Sequence, residues 1–151
     1  MSKEIRISPI RNGTAIDHLG PGSAYKMLEV LDLRDYTVTV GINVESRKMG
    51  HKDIMFIEGR ELSGKEMDKI ALIGHGATVN LIKNSEIAEK FQLGYPEQVE
   101  GIMKCINPKC ITNAENITGK FSIRHSPLEA KCFYCETRMG EQDIVSSIKS
   151  D

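Results

Sequence analysis

The chain has 151 residues, of which 40% are hydrophobic and 27% charged, and 20 Lys and Arg residues against 21 Asp and Glu residues leave a formal net charge of −1. This length suits one ordinary globular domain or two small ones. No apolar run approaches the roughly 20 residues that span a bilayer, so we expect no membrane-embedded segment.

The first third of the chain predicts two extended segments and a helix. Isoleucines alternate with polar residues over 5–10, which predicts a first strand, and 14–18 predicts a short extended piece after an Asn-Gly turn. Ser23 is predicted to cap a helix, because apolar residues recur at helical spacing over 24–31.

Two strands are predicted next. Residues 37–44 alternate apolar and polar side chains, so the apolar residues from Val38 to Val44 should share one face of a half-buried strand. The apolar run 54–57 predicts a second strand that can be covered on both faces.

A second helix and two further strands follow. Ser63 and Glu66 form a capping-box pattern at the start of the helix, and Gly74 is placed to end it. Strands are predicted over 77–82 and 86–93. The order β-α-β-β-α-β with an additional strand predicts an α+β ferredoxin-like sandwich, with two helices on one face of an antiparallel sheet.

The remaining residues predict a smaller second module. A connector containing Gly and Pro covers 94–101, and residues 120–124 and 128–132 alternate as antiparallel strands. Residues 143–148 predict either an edge strand or a helix. This part is expected to be a small all-β, zinc-ribbon-like domain.

All four cysteines lie in this module, as two close pairs. Four residues separate Cys105 from Cys110, and two separate Cys132 from Cys135. Two tight turns that each supply two thiolates suit a tetrahedral Zn²⁺ site with metal–sulfur distances of about 2.3 Å. Four unrelated core cysteines, a disulfide framework or a single redox C-x-x-C motif explain the pattern less well, since no secretory signal precedes them and one motif leaves the first pair unexplained. We expect one structural Zn²⁺ per chain.

Many zinc ribbons bind nucleic acid, but the charge of this one argues against that function. Residues 102–151 carry seven Lys and Arg against six Asp and Glu. Four thiolates and one Zn²⁺ add a charge of −2, so the module is slightly anionic and poorly suited to a phosphate backbone. Binding that weakens steeply with salt would revive this alternative.

Several polar residues of the first domain have two interpretations. Asp17 and His18, beside a Gly-Pro-Gly break, can grip a ribose and a phosphate, act in a small enzyme, or form a capped turn. Lys90 and the basic loop 46–52 can supply charge to phosphates or be solvated surface. Asn80 can contact a base or complete a sheet hydrogen bond. No P-loop, dinucleotide fingerprint or paired nucleophile and base is recognisable.

Taken together, the stretches 12–18, 49–53 and 77–80 and the cysteine set, with its four-residue spacing in the first pair, resemble the regulatory chain of aspartate carbamoyltransferase. The resemblance covers nearly the whole chain. It implies a cytoplasmic, non-catalytic regulatory subunit in pyrimidine biosynthesis. It also implies an allosteric nucleotide-binding domain over 1–97 that forms a regulatory dimer, and a zinc domain over 102–151 that docks onto the catalytic chain. CTP would usually inhibit and ATP activate, with no nucleic acid or membrane involved.

The resemblance also implies a nucleotide site, carried over residue by residue. Its members are Ile10, Asp17, His18, Lys52, Asn80, Ile82, Ser85, Ile87 and Lys90. Asp17 would hold the ribose, and His18 with the two lysines would face the phosphates. Phe56 stands where many family members carry a lysine, and Ser85 where others carry an aromatic residue. These two departures leave the nucleotide preference open.

Overall fold

The computed structural model describes residues 11–150, so the strand predicted over 5–10 lies outside the described residues. No helix in the described range is long and apolar enough to cross a membrane. The described residues up to 97 form these elements: β1 (Gly13–Leu19), α1 (Ser23–Val30), β2 (Val38–Ser46), β3 (Gly50–Glu58), α2 (Gly64–Ile73), β4 (Thr78–Lys83) and β5 (Glu86–Gln92).

The first five strands form one antiparallel sheet in the order β2-β3-β1-β4-β5. This is the ferredoxin-like arrangement extended by β5, and it confirms the predicted α+β class. Ile16, Met55 and Val79 lie in register on neighbouring strands and are buried. Their face of the sheet belongs to the core that also contains Met27 of α1 and Ile70 of α2. We call the opposite side of the sheet the open face.

An extra residue in β2 changes the predicted distribution of its side chains. Val40 is paired with Met55 on the helix side, whereas Val44 is paired with Lys52, and the register shifts between Gly41 and Val44. A one-residue bulge moves every following side chain to the other face. The prediction that all apolar residues from Val38 to Val44 share one face is therefore wrong beyond the bulge.

The two helices begin in different ways. At α2 the predicted capping box is present: Glu66 N donates to Ser63 Oγ at 3.2 Å, and Ser63 N donates to Glu66 Oε1 at 3.0 Å. At α1 the N-cap is Gly22, and Ser23 is the first helical residue, so the predicted serine cap is wrong. Its capping function is supplied by a carboxylate on another strand, described below.

Gly74 ends α2 as predicted, but it does not adopt the left-handed conformation that is common for a glycine at a helix end. Its φ is −126°. A Cβ at this position would lie 2.7 Å from Cδ2 of Leu19. A side chain here would therefore require the buried side chain of Leu19 to move.

The second part of the chain is a smaller antiparallel sheet in the order β6-β7-β8-β9, with short helices beside it. Its described elements are β6 (Gln98–Glu100), α3 (Ile111–Ala114), β7 (Lys120–Arg124), β8 (Glu129–Cys132), β9 (Arg138–Gly140) and α4 (Glu141–Ser147). β7 has the predicted bounds. Part of the predicted connector is a strand, β6, which forms because these residues pair with β7. The undecided tail is helical, and α3 was not predicted.

Three stacked rings connect the two parts. His75 follows α2, Tyr95 lies before β6, and His125 follows β7. The centroids of His75 and Tyr95 are 4.1 Å apart with planes 12° from parallel, and those of Tyr95 and His125 are 5.8 Å apart at 27°. The stack places one ring from each sheet region on either side of the connecting segment.

The C-terminal tail also contacts the first helices. Lys69 is only 2% exposed, and its Nζ donates to the carbonyl oxygens of Val30 at 3.2 Å and Lys149 at 2.8 Å. Ser150 Oγ donates to the carbonyl oxygen of Glu29 at 2.8 Å. Carbonyl partners offset the cost of burying an ammonium group. The tail therefore joins the end of α1 to α2.

Candidate metal centre and open-face site

The four cysteines converge on one point beside the second sheet. Cys105 and Cys110 lie in the loop that leads into α3, Cys132 ends β8, and Cys135 lies in the turn before β9. All four are free, and their Sγ atoms lie within 4.8 Å of one another. Each cysteine of the first pair contacts a cysteine of the second pair. The Sγ atoms of Cys105 and Cys135 are 3.6 Å apart, and those of Cys110 and Cys132 are 3.8 Å apart. A tetrahedron with metal–sulfur distances of about 2.3 Å has edges of about 3.8 Å, so this arrangement fits a metal ion.

Side chains that the sequence analysis did not select hold the two cysteine turns in shape. Asn113 Nδ2 donates to the carbonyl oxygens of Cys105 at 2.9 Å and Asn107 at 2.7 Å. This amide closes the longer first turn. Groups that orient ligands in this way tune metal affinity as well as geometry.

A threonine hydroxyl lies beside the second cysteine of each pair. Thr112 Oγ1 is 3.1 Å from Cys110 Sγ, and Thr137 Oγ1 is 3.1 Å from Cys135 Sγ. The sequence carries a signal for this, because each threonine follows its cysteine by two residues. Once a cysteine is deprotonated, the neighbouring hydroxyl can donate to its sulfur, which stabilises the thiolate and favours the metal-binding form.

The thiols differ in their readiness to ionise. Burial raises the pKa of Cys105 to about 12, and burial also raises the pKa of Cys132. Burial opposes ionisation of Cys135 as well, but hydrogen bonds, first of all with Thr137, outweigh it and lower its pKa to about 6. A divalent cation supplies the opposite charge that the more buried thiolates need. The cluster can therefore hold a metal ion.

The second candidate site lies on the open face of the five-stranded sheet. Ala15 of β1 is paired with Phe56 of β3 on one side and Asn80 of β4 on the other, and Asn80 is paired with Lys90 of β5. Directly paired residues project to the same face of a sheet. The predicted site residues of β4 and β5 therefore share a face with Phe56.

Asp17, His18 and Lys52 come together at one end of this face. Lys52 Nζ lies 2.8 Å from Asp17 Oδ1, and the His18 backbone N–H donates to the same oxygen at 2.6 Å. Burial alone would raise the pKa of Asp17, but the hydrogen bond with Lys52 and the neighbouring charges lower it overall. Asp17 is therefore an anion that already holds one of the two predicted phosphate-facing lysines.

Thr78 was missed by the sequence analysis. Its Oγ1 lies 3.1 Å from Nδ1 of His18 and fixes the orientation of that ring. His18 itself has a φ of 59°, in the left-handed region. The only local signal for Thr78 is its position two residues before Asn80, which places both side chains on one face of β4.

Asn80 has an unusual environment for a half-buried amide. Its Oδ1 is buried and has no hydrogen-bond partner among residues 11–150. An unpaired buried acceptor costs about 1–3 kcal/mol, so it marks a position where a donor group can bind.

The remaining predicted site residues are more dispersed. Ile82 is paired with Ile87, which is 61% exposed, and Ser85 lies in the β4–β5 turn with a φ of 65°. Lys90 lies on β5, three strand spacings or about 14 Å from β3, the strand of Lys52. The two lysines can therefore reach a common ligand only from opposite sides. Ile10 lies outside the described residues.

Comparison with protein families gives matches to both parts of the chain. Residues 5–94 match the allosteric domain of the aspartate carbamoyltransferase regulatory chain, and residues 97–145 match the metal-binding domain of the same chain.

Individual relatives carry the same name over nearly their full length. The regulatory chain from Methanococcus aeolicus is 48% identical over 146 residues, which is 95% of this chain and 94% of the relative. Those from Pyrococcus horikoshii and Thermoplasma acidophilum are 45% and 47% identical and cover 96% and 97% of this chain and 99% and 100% of their own. With both of its domains matched in sequence order, the chain belongs to the family of aspartate carbamoyltransferase regulatory chains.

Proposed function

We propose that the open face of the five-stranded sheet binds the nucleoside triphosphates CTP and ATP. The chain would then transmit this binding to a catalytic chain of aspartate carbamoyltransferase, and so control pyrimidine biosynthesis. The relatives are named as regulatory chains, which are non-catalytic subunits. The proposal assigns the effector site to this chain and the chemistry to its partner.

One observation supports the nucleotide site above the others: the arrangement of Asp17, His18 and Lys52 on neighbouring strands. A carboxylate accepts hydrogen bonds from ribose hydroxyls, and a lysine serves as a point charge for phosphate. The unpaired Oδ1 of Asn80, further along the same face, suits the exocyclic amine of cytosine or adenine. Both bases of the proposed effectors carry that donor.

We further propose that the four cysteines bind Zn²⁺ and that this part of the chain docks onto the catalytic chain. Four sulfur donors in a closed tetrahedron are typical of structural zinc. The zinc would supply folding free energy to a small module with a limited core. The exposed apolar side chains around the cysteine turns support docking, since Ile106, Ile111, Phe133 and Tyr134 are between 42% and 51% exposed.

Pairing of two chains through their first domains is also part of the proposal. Among the strands of residues 11–150, β5 lies at one end of the sheet, and each of its residues is exposed, including Phe91 at 41%. A strand at a sheet edge can pair with a strand of another molecule. The division into domains at 1–97 and 102–151, and the cytoplasmic location, stay predictions alongside this dimer.

Calorimetric titration of the zinc-loaded chain with CTP, ATP and the two parent nucleosides tests the central proposal. We expect saturable binding of both triphosphates and weaker binding of the nucleosides, since these lack the phosphates that the cations face. The same preparation, free of catalytic chain, should transfer no carbamoyl group from carbamoyl phosphate to aspartate. Absence of triphosphate binding at millimolar concentration, or measurable turnover, would contradict the proposal.

A further inference from the structure

One buried carboxylate lies directly behind the open-face site and has no part in the function described so far. Asp53 is 0% exposed. Its neighbour in sequence is Lys52, and adjacent residues of a strand project to opposite faces. Lys52 thus faces the open side, while Asp53 faces the helices, on the same side as Met55.

Asp53 accepts three backbone hydrogen bonds from two other segments. Gly22 N and Ala24 N donate to Oδ2 at 2.8 and 3.0 Å, and Asn43 N donates to Oδ1 at 2.8 Å. The first two amides lie at the start of α1, so Asp53 caps this helix from another strand. A carboxylate is favourable there, because the helix end is electropositive and its amides lack partners within the helix.

The strands on both sides of Asp53 are bulged at its level. β1 gains one residue between Ile16 and Leu19, and Leu19 is paired with Asp53. β2 gains one residue between Gly41 and Val44. The bulged segments contain His18 and Asn43, with φ of 59° and 57°, a conformation that non-glycine residues seldom adopt. Asp53 therefore contacts the β2 bulge directly, and the segment after the β1 bulge through α1.

These bulges decide how the site residues are presented. Asp17 and His18 lie within the β1 bulge. Lys52 lies on β3 and is paired with Val44, the first residue of β2 in register after the bulge. A bulge re-aims side chains and increases the local twist. The contacts of Asp53 hold the β2 bulge and the start of α1, which follows the β1 bulge, against β3, the strand that carries Lys52.

The charge of Asp53 makes a direct role in binding unfavourable. A carboxylate close to a bound triphosphate repels it, so on Coulomb grounds alone the site would bind phosphates better without it. The amides at the start of α1 are occupied by Asp53, so they do not serve as the phosphate site themselves. Its geometry fits an indirect role.

Resting on the proposed function, we propose that Asp53 is a positioning residue for the phosphate-binding end of the nucleotide site. It fixes the β2 bulge directly and the segment after the β1 bulge through the start of α1, and thereby the placement of Lys52 against Asp17 and His18. Removing it should weaken triphosphate binding, although the removal of a negative charge alone should strengthen it. The sign of the effect therefore distinguishes positioning from simple electrostatics.

The test is titration of the Asp53→Asn chain with CTP, ATP, their nucleosides and inorganic tripolyphosphate, at a temperature where the variant is folded. We expect triphosphate binding to weaken by about 3- to 10-fold, less than deletion of a charged contact would cause. The nucleosides should lose less. Ser63→Ala is the matched control, because it removes the cap of α2 and lowers stability without contact to the site residues.

Unchanged or tighter triphosphate binding by Asp53→Asn, or an equal loss in Ser63→Ala, would overturn the inference. If the parent chain binds neither CTP nor ATP, the proposed function itself is at fault.

Hydrogen exchange on the unmodified chain tests the inference if Asp53→Asn does not fold. Saturating CTP should slow exchange of the Gly22, Ala24 and Asn43 amides about tenfold more than that of amides in α2, if ligand and Asp53 stabilise one arrangement. Equal protection in both places would overturn the inference as well.

Discussion

Lys52 Nζ lies 2.8 Å from Asp17 Oδ1, so an ion pair joins two neighbouring strands on the open face of the sheet. The two side chains are 19% and 30% exposed. The carboxylate already balances the lysine, so a phosphate must share Lys52 with Asp17 or displace it. An effector phosphate at the proposed site would therefore meet a neutralised pair.

The first prediction concerns the pH dependence of this pair. The pKa of Asp17 is lowered from its ordinary value of 3.8 in the folded chain. A depressed carboxyl pKa gives stability that is present above the unfolded value and lost as the pH falls through the folded one. Asp17→Asn should therefore cost about 0.5–1 kcal/mol at pH 6 and progressively less below pH 4. Urea unfolding of both proteins at a series of pH values measures the difference. A constant difference down to pH 2.5 would show that the ion pair is not its source.

The second prediction concerns Lys52 and Lys90, the two lysines of the proposed phosphate site. Lys52→Ala and Lys90→Ala should each weaken CTP and ATP binding by roughly 10- to 100-fold, because a hydrogen bond to a charged group contributes about 1.5–3 kcal/mol. Zinc content should be unchanged. Lys83→Ala is the control, since Lys83 changes the net charge equally and lies one residue after Ile82, on the opposite face of β4. Parent-like binding by both site variants would place the site elsewhere.

The third prediction uses Phe56, which is half-buried and paired with Ala15 in the middle of the open face. A lysine at a half-buried position can extend its ammonium to solvent or ligand. Phe56→Lys should therefore tighten ATP binding about 3- to 10-fold through a contact with the ribose. The gain should shrink with 2′-deoxy-ATP, and Phe56→Leu should show none. An equal gain for both nucleotides would indicate general charge attraction instead of ribose recognition.

The fourth prediction concerns the metal centre. Cys110→Ser and Cys132→Ser should abolish binding of one Zn²⁺ per chain and unfold the second sheet, while the first domain stays folded and binds CTP. The Thr112→Val chain should still bind the metal, but its metal affinity should fall by about 10- to 100-fold, as it does when a residue that contacts a metal ligand is lost. Metal analysis and competition with a chelator measure both effects. Full folding of the second sheet in the metal-free protein would contradict a structural role.

The fifth prediction concerns docking. Phe133 and Tyr134, which are 51% and 50% exposed between two of the cysteines, should lie in the contact with the catalytic chain. Phe133→Asp should reduce co-elution with that chain on gel filtration at least tenfold, since a buried charge without a partner opposes association. Tyr25→Asp is the control, because Tyr25 is 66% exposed on α1 of the other domain. Equal effects of the two substitutions would remove the cysteine turns from the interface.

Elements encoded by local patterns could be predicted from the sequence. The capping box of Ser63 and Glu66 depends on residues three apart, and β7 on a simple alternation, and both are present. The start of α1 could not be predicted, because its cap comes from Asp53, 29 residues beyond Ala24. The β2 bulge at Asn43 could not be predicted for a related reason. The alternation of apolar and polar residues continues through the bulge, and only the pairing with β3 reveals the extra residue.

The same distinction holds for the two sites. The cysteine spacing alone indicates a metal site, and the sulfurs converge as the spacing requires. The open-face site draws Asp17, Lys52 and Asn80 from three strands, and their types are individually ordinary. From the sequence, only the resemblance to a known family indicated that these residues belong to one site. Thr78 stayed unnoticed, because its contact with His18 depends on the pairing of β1 with β4.

The ring stack of His75, Tyr95 and His125 gives the chain an internal optical probe. The sequence contains four tyrosines and no tryptophan, so tyrosine emission is not masked. Tyr95 lies between imidazoles from the two sheet regions, and burial together with nearby Glu141 raises its pKa above 10.0. Contact with neighbouring rings alters the emission of a phenol, so separation of the two sheets should change the fluorescence of Tyr95. Rearrangement between the halves of the chain can thus be followed by fluorescence without attaching a dye, with Tyr95→Phe as the blank.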